Sequence, residues 1–227
     1  MDNSDLAKRM KNYEEIGKSF LTKRVPVIIR IDGKSFHRVT KKHYEKGYSQ
    51  AFTSHMMSVA FNVMTEMQGC KFCYRQSDEI SFLLTDYRTI QTDGWFDYSL
   101  NKLVSISAAC ASAAMSTILN CVTMFDSRAF SIPKDDVCNY FIWRQQDATR
   151  NSIQMVGQQN FTKTELHKKS CNNIQEMLFS ERDINFNDFP AEQKRGSCIA
   201  DGILDHSIPI FTKEREYIER FVNIRED

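Results

Sequence analysis

Apolar positions change their spacing several times along the chain, and each change marks an element. Residues 5–20 place Leu6, Met10, Tyr13 and Ile16 on one side of an amphipathic helix. Residues 25–33 are a β-branched apolar run, the mark of a strand buried on both faces, and the run stops at Asp32 and Gly33. Residues 34–47 are polar, show no clear period and read as a loop. From Ser49 the spacing turns helical: Phe52, Met56, Val59, Ala60, Val63 and Met67 recur at threes and fours, with Ser49 as N-cap and Gly69 as stop. Phe72 and Tyr74, then Ile80, Phe82 and Leu84, alternate about Gln76-Ser77-Asp78, which predicts a β-hairpin with Asp78 at or near its tip. After a polar connection over 85–97, residues 98–120 predict a helix whose small residues suit close packing on a sheet. Residues 121–126 predict another strand ending in a carboxylate, Asp126.

Strand, helix, hairpin, helix, strand is the ferredoxin-like βαββαβ order. It predicts an α+β fold with an antiparallel sheet backed on one face by both helices. Beyond Pro133 the texture changes to helices over 134–147, 151–159 and 164–179, then an irregular segment over 182–195. Residues 196–200 and 208–211 predict a last pair of strands, and 214–227 a charged tail. The chain therefore divides into residues 1–132 and a mainly helical region over 133–227. Spacing alone reads Asp32 as a turn cap and Asp78-Glu79 as an exposed turn. The βαββαβ order changes that, because it makes the first strand and the hairpin central neighbours and sets Asp32 beside the Asp78 turn.

Composition narrows this little. Of 227 residues, 41% are hydrophobic and 26% charged, with a net charge of +1, so a nucleic-acid role would rest on local basic clusters such as Lys41-Lys42-Lys46 and Lys194-Arg195. The start lacks a secretory pattern and no apolar run reaches membrane-spanning length, which predicts a cytoplasmic protein with no membrane partner. The seven cysteines read as reduced thiols. Cys70 and Cys73 form a lone C-x-x-C without the second pair that structural zinc needs, so they read as part of a strand.

Two carboxylates on adjacent strands, with the Gly33 carbonyl between strand and loop, suit hard cations such as Mg²⁺. Paired Mg²⁺ ions roughly 4 Å apart serve phosphoryl transfer, and the basic side chains of residues 34–46 could neutralise a triphosphate. No P-loop, G-x-G-x-x-G or nucleophile-elbow motif is present. His37 reads as a general base, a phosphate contact or a buried loop residue, and the sequence favours the last.

Arg30-Ile-Asp-Gly-Lys-Ser-Phe-His-Arg38 followed by Gln76-Ser-Asp-Glu-Ile-Ser-Phe82 resembles the histidine-tRNA guanylyltransferases and their guanylyltransferase-like relatives. Phe125-Asp-Ser-Arg128, Tyr140-Phe-Ile-Trp-Arg-Gln-Gln-Asp147, Leu178-Phe-Ser-Glu181, Asn185-Phe-Asn and Lys194-Arg-Gly196 resemble that family's later blocks in the same order, over roughly residues 5–205. The resemblance implies a palm like that of forward polymerases and nucleotide cyclases in residues 1–132, with a fingers-like region after it. It implies two Mg²⁺ on Asp32, the Gly33 carbonyl and Asp78, with Glu79 in support. Gly33, Lys34, Ser35, Phe36, His37, Lys46 and Ser77 would line the nucleotide site. Arg30, Arg128, Arg144, Asn151 and Lys194 would meet triphosphate or tRNA phosphate. ATP, GTP and other NTPs are the implied substrates, tRNA the partner, and a homotetramer the assembly. Where histidine-tRNA enzymes carry a histidine after their Trp-Arg-Gln-Ala-Asp block, this chain has Thr149, and only Asn151 matches nearby. The resemblance is therefore nearer to the guanylyltransferase-like proteins, which copy a template to repair 5′-truncated tRNAs in the 3′-to-5′ direction. The alternatives are addition of a single guanosine to histidine tRNA, a palm-type nucleotide cyclase, and an RNA-binding module without catalysis.

Overall fold

The computed structural model describes residues 4–224. Strand β1 (Val27–Gly33) is followed by helices α2 (Phe36–His43) and α3 (Gln50–Glu66), the hairpin β2 (Cys70–Gln76) and β3 (Glu79–Leu84), helix α4 (Leu100–Leu119) and strand β4 (Phe125–Ser131). These strands lie in the order β4-β1-β3-β2, antiparallel throughout, which is the ferredoxin-like arrangement. Strands β5 (Ser197–Ala200) and β6 (Ile203–Asp205) then extend the same sheet beyond β2 to six strands.

Alternation along β1 explains why the sheet is covered twice. Val27, Ile29 and Ile31 face α3 and α4, packing with Met56, Val63, Leu103 and Met115. Ile28 faces the other way, with Phe72, Tyr74 and Leu83, onto helix α5 (Lys134–Asn160) and the C-terminal Phe211 and Phe221. Arg30 and Asp32 share the parity of Ile28 and so face α5. Helix α4 meets the sheet through a narrow stripe of Leu103, Ser107, Ala111 and Met115, and the Ser107 hydroxyl hydrogen-bonds that of Ser127 on β4 at 2.7 Å.

Several expectations shift. Residues 36–43 are a helix, α2, and only Phe36 on it is buried, which is why no period shows in the sequence. Helix α5 runs unbroken through 147–151. Its buried side mixes Val137, Phe141 and Ile153 with Arg144, Gln145 and Ser152, so the apolar spacing lapses mid-helix. Residues 163–168 are turns, and helix α6 (Cys171–Arg182) starts from a capping box between Ser170 and Asn173. The final strand pair turns at Asp201-Gly202, both at positive φ, so β6 comes earlier than predicted; Ile208 and Phe211 are buried without being a strand. The segment expected as a charged tail holds the short helix α8 (Glu216–Glu219) and buries Ile218, Phe221 and Val222; residues 225–227 lie outside the described set. Helix α1 (Asp5–Glu15) buries none of its residues, and Leu6, Met10 and Tyr13 are exposed. Helix α4 is long and apolar enough to cross a membrane by length and composition, contrary to expectation, because leucines, isoleucines and a valine flank its alanine-rich middle.

One difference bears directly on chemistry. Strand β4 begins at Phe125, where the sequence pattern had a strand ending. Because β4 is antiparallel to β1, the start of one lies beside the end of the other, and Asp126 faces Asp32 in register.

Candidate active site

The end of β1 is tied down on both flanks by its own backbone. Gly33 N–H donates to the Asp78 carbonyl at 3.2 Å, and Lys34 N–H to the Met124 carbonyl at 2.8 Å. Gly33 also lies against the buried Phe36 ring so closely that any Cβ there would collide with it. Phe36 in turn packs on Phe125 of β4, with ring centroids 4.7 Å apart. Glycine is thus required for the chain to turn over Phe36 and into α2. The hairpin turns tightly through Ser77 (φ 47°) and Asp78, and the Ser77 hydroxyl donates to Asp78 Oδ1 at 3.0 Å.

Asp32 is flanked in register by Glu79 on β3 and Asp126 on β4. Among the described residues its carboxylate has no hydrogen bond or ion pair. Burial pushes its pKa up and Asp126 adds to this, against opposing pulls from Arg30, Arg128 and Arg144. Asp78 is raised as well, first by burial, with Asp32 contributing, although its own backbone and Ser77 pull it down. Glu79 is different, for its oxygens are engaged. Arg144 Nε lies 2.8 Å from Oε1 without hydrogen-bond alignment, while Arg144 Nη2 donates to Oε2 at 3.1 Å. Arg30 Nη1 is 3.8 Å from Oε2, and Gln76 Nε2 donates to Oε1 at 3.2 Å. Arg144 also donates to Asp147 at 2.8 Å and stacks on Trp143, and Asp147 further accepts from Arg150.

The donor set fits a hard cation. Two half-buried carboxylates, both raised in pKa by burial, with Asp126 adding to the first and Asp32 to the second, are short of positive charge, and oxygen donors are what Mg²⁺ prefers. The described residues hold no cluster of three or more His, Cys, Asp or Glu side chains placed to bind a metal. Two carboxylates with water and substrate oxygens are the usual complement for Mg²⁺, which does not require a full protein cage.

These raised pKa values have a consequence for the metal-free protein. A carboxyl whose folded pKa exceeds its unfolded value destabilises the fold once ionised, so its penalty grows as pH rises from about 3.8 through the folded value. Asp32→Asn is therefore expected to raise Tm in EDTA at pH 7, by about 2–4 °C for each kcal/mol of repulsion removed. The gain should vanish near pH 3. Thermal melts across that pH range check it, and a lower Tm at pH 7 would contradict the repulsion argument.

A cavity of about 500 Å³ opens at this end of the sheet, and Asp32, Ser77, Asp78, Glu79, Arg144 and Asn151 all line it. The remaining predicted residues lie outside its wall. Lys34, Ser35 and His37 are exposed along the entry to α2, so His37 is not the buried loop residue favoured by the sequence. Phe36 is core. Lys46 is exposed, and its carbonyl accepts from Gln159 at 3.0 Å. Arg128 pairs with Asp126 at 3.2 Å and sits opposite Arg30 in register. Lys194, on helix α7 (Ala191–Arg195), donates to the Asn187 carbonyl. Cys70 and Cys73 lie in β2 as predicted, buried and free, and burial pushes the Cys73 thiol up to about 12.

Sequence reasoning missed Asp147, Tyr48, Arg75 and Glu192, all on the cavity wall. Asp147 was visible within the Trp-Arg-Gln-Gln-Asp block. Arg75 occupies a strand position that alternation would assign to an ordinary polar face, and Glu192 falls in a segment without period, so neither gave a signal.

A family profile described as tRNAHis guanylyltransferase matches residues 7–133. A probable tRNA(His) guanylyltransferase of Dictyostelium discoideum is 30% identical over 214 residues, 84% of this chain and 80% of that protein. The tRNA(His) guanylyltransferase of Schizosaccharomyces pombe is 28% identical over 210 residues, covering 83% and 77%. Among solved structures, a bacterial tRNA(His) guanylyltransferase-like protein in complex with ATP superposes with a TM-score of 0.93 at 40% identity, over 97% of this chain and 100% of that one. The same kind of protein in complex with GTP gives 0.87 at 38%, with the same coverage. The Saccharomyces cerevisiae enzyme shares the fold, with a TM-score of 0.75 at 22% identity over 90% and 98%. With the carboxylates at the cavity mouth and these likenesses spanning nearly its whole length, the chain belongs to the tRNAHis guanylyltransferase family of nucleotidyltransferases, whose reaction adds nucleotide to tRNA.

Proposed function

We propose that this chain extends the 5′ ends of truncated tRNAs in the 3′-to-5′ direction, adding the nucleotide that the opposing strand specifies. The carrying observation is the convergence of Asp32 and Asp78, unpaired by any cation of the protein, on a cavity large enough for a nucleoside triphosphate. In this reading a 5′-monophosphate end takes AMP from ATP with release of pyrophosphate, and the 3′-hydroxyl of an incoming NTP then displaces that AMP; a 5′-triphosphate end needs no activation, because the same attack releases its pyrophosphate. Mg²⁺ held by Asp32, Asp78 and the Gly33 carbonyl would supply activation of that hydroxyl and stabilise the leaving oxygen. The protein's own part is placement. The Ser77 hydroxyl orients Asp78, and Gly33 N–H fixes the hairpin tip against β1. Glu79, locked to Arg144, holds α5 and its Asn151 over the cavity. Residues 1–132 then act as a palm-like unit to which 133–227 contributes Arg144, Asn151 and a basic Lys194. Lys34, His37, Lys46 and Arg128, exposed outside the cavity wall, would meet phosphate at the surface. The unburied α1 and the outward side of α4 support assembly into a homotetramer.

Two observations favour copying a template over adding one fixed guanosine. Thr149 offers a hydroxyl already donated to the Gln145 carbonyl at 3.0 Å, so no imidazole is available there. Identity is also higher to the guanylyltransferase-like protein than to the Dictyostelium relative, 40% against 30%. Incubating 5′-truncated, 5′-triphosphorylated tRNAs with each NTP in turn is expected to add only the nucleotide complementary to the opposing base. Guanosine added whatever base lies opposite would establish the single-addition reading. Cyclic nucleotide and pyrophosphate formed without RNA would establish a cyclase.

A further inference from the structure

The cavity extends to a side of the sheet that the catalytic carboxylates do not face. Arg75 shares the parity of Cys73, whose side chain packs toward α3, whereas Asp32 shares that of Ile28 and faces α5. On the α3 side the cavity wall includes Tyr48, Ser49, Thr53 and Arg75. Arg75 is only 3% exposed. It donates to the Ser197 hydroxyl at 3.0 Å, its buried Nε has no acceptor, and no carboxylate among the described residues forms an ion pair with it. A buried guanidinium left in that state is costly unless an anion completes it.

A second, independent feature points the same way. The seventeen-residue helix α3 begins at this wall. Ser49 Oγ accepts from Phe52 N–H at 3.3 Å, which leaves the N–H groups of Gln50 and Ala51 ahead of the first intrahelical acceptor. The positive end of a helix with free N–H groups binds phosphate readily. Glu192, the carboxylate on this wall whose charge reaches Arg75, is held by other groups and makes no ion pair with it: Oε1 accepts from Tyr48 Oη at 2.7 Å, and Oε2 lies against His206 Nδ1 without hydrogen-bond alignment.

The geometry points to an anion subsite in which Arg75 and the first turn of α3 take a phosphate group, from a nucleoside triphosphate tail or an RNA 5′ end, inside the cavity that Asp32 and Asp78 share. Phosphate recognition follows from these residues alone; the identity of the phosphate's carrier rests on the nucleotidyl-transfer reading.

Titration calorimetry on wild type, Arg75→Gln and Gln50→Glu tests it, with inorganic tripolyphosphate, ATP and AMP, and with tRNA bearing a 5′-triphosphate or a 5′-hydroxyl. Gln50→Glu guards against a folding artefact. The residue is exposed, and glutamate favours a helix start. Both variants are expected to lose about tenfold or more in tripolyphosphate affinity, the scale of one charge-assisted contact, with AMP and 5′-hydroxyl tRNA within about twofold. A loss concentrated in the ATP-to-AMP ratio assigns the subsite to the nucleotide tail. One concentrated in the 5′-triphosphate-to-hydroxyl ratio assigns it to the RNA end. Unchanged tripolyphosphate affinity in Gln50→Glu, or equal weakening for every ligand, overturns the subsite. Selective tripolyphosphate binding in a wild type that extends no tRNA would leave the subsite standing and sink the proposed function.

Discussion

Asp32→Ala and Asp78→Ala are each expected to lower nucleotidyl transfer by roughly 10²–10³-fold or more, the scale of removing one preorganised electrostatic group from a reacting centre. Asp32 reaches the cavity from the end of β1 and Asp78 from the hairpin turn, so the effect should appear in both variants independently. Affinity for tRNA should stay within about threefold, because both variants remove negative charge and leave every basic cluster in place. Neither side chain packs in the apolar core, and both are raised in pKa, first by burial and then by a neighbouring carboxylate, Asp126 for Asp32 and Asp32 for Asp78. The variants should therefore melt no lower than wild type in EDTA. Loss of activity together with unimpaired folding separates a catalytic role from the turn-capping role that spacing alone suggests for Asp32. Full activity in both variants would remove the metal assignment, and loss of tRNA binding in step with activity would recast the pair as structural.

How much of this was legible beforehand depended on where the information lies. The pairing of Asp32 with Asp78 was readable because it needs only the order of elements: once a central strand and a hairpin are recognised, topology makes them neighbours. The third carboxylate was not. Asp126 was visible, but it took the direction of β4 to show that a strand beginning there would bring it against Asp32. Helix α2 escaped because a helix that buries a single side chain leaves no apolar stripe. Helix α5 was broken in two for the opposite reason, since its buried face carries Arg144 and Gln145 among apolar residues, and polar groups at core positions look like a solvated turn. Arg144 lines the cavity and Gln145 bonds the segment at Pro209 and Phe211, so the pattern failed where the helix meets the candidate site and the C-terminal chain. Arg75 and Glu192 gave nothing to read, because their meaning lies in which partners they lack or have found.

Arg144→Met is expected to be the most destabilising single change at the site. Its side chain is 7% exposed and meets Glu79, 12% exposed, and Asp147, 18% exposed. The pair spans β3 and α5, so it ties the hairpin to the helix covering the sheet's second face. Removing one member of a buried ion pair costs about 3–5 kcal/mol, because the other charge is left without compensation. Arg30, 3.8 Å from Glu79, should keep the loss toward the lower figure. At about 2–4 °C per kcal/mol, that is a fall in Tm of roughly 6–12 °C. The double variant Arg144→Met/Glu79→Gln should recover much of it, since the orphaned charge is gone. The pH dependence has a fixed sign. Burial already raises the Glu79 pKa against the pull of Arg144, and without Arg144 it must rise further. Glu79 in the variant therefore takes up a proton at higher pH than in wild type, and the variant's deficit should shrink as pH falls from 7 toward 5. A deficit that persists unchanged at low pH, or that Glu79→Gln fails to relieve, would place the importance of Arg144 in its stacking on Trp143, with centres 4.3 Å apart, and not in the charge pair.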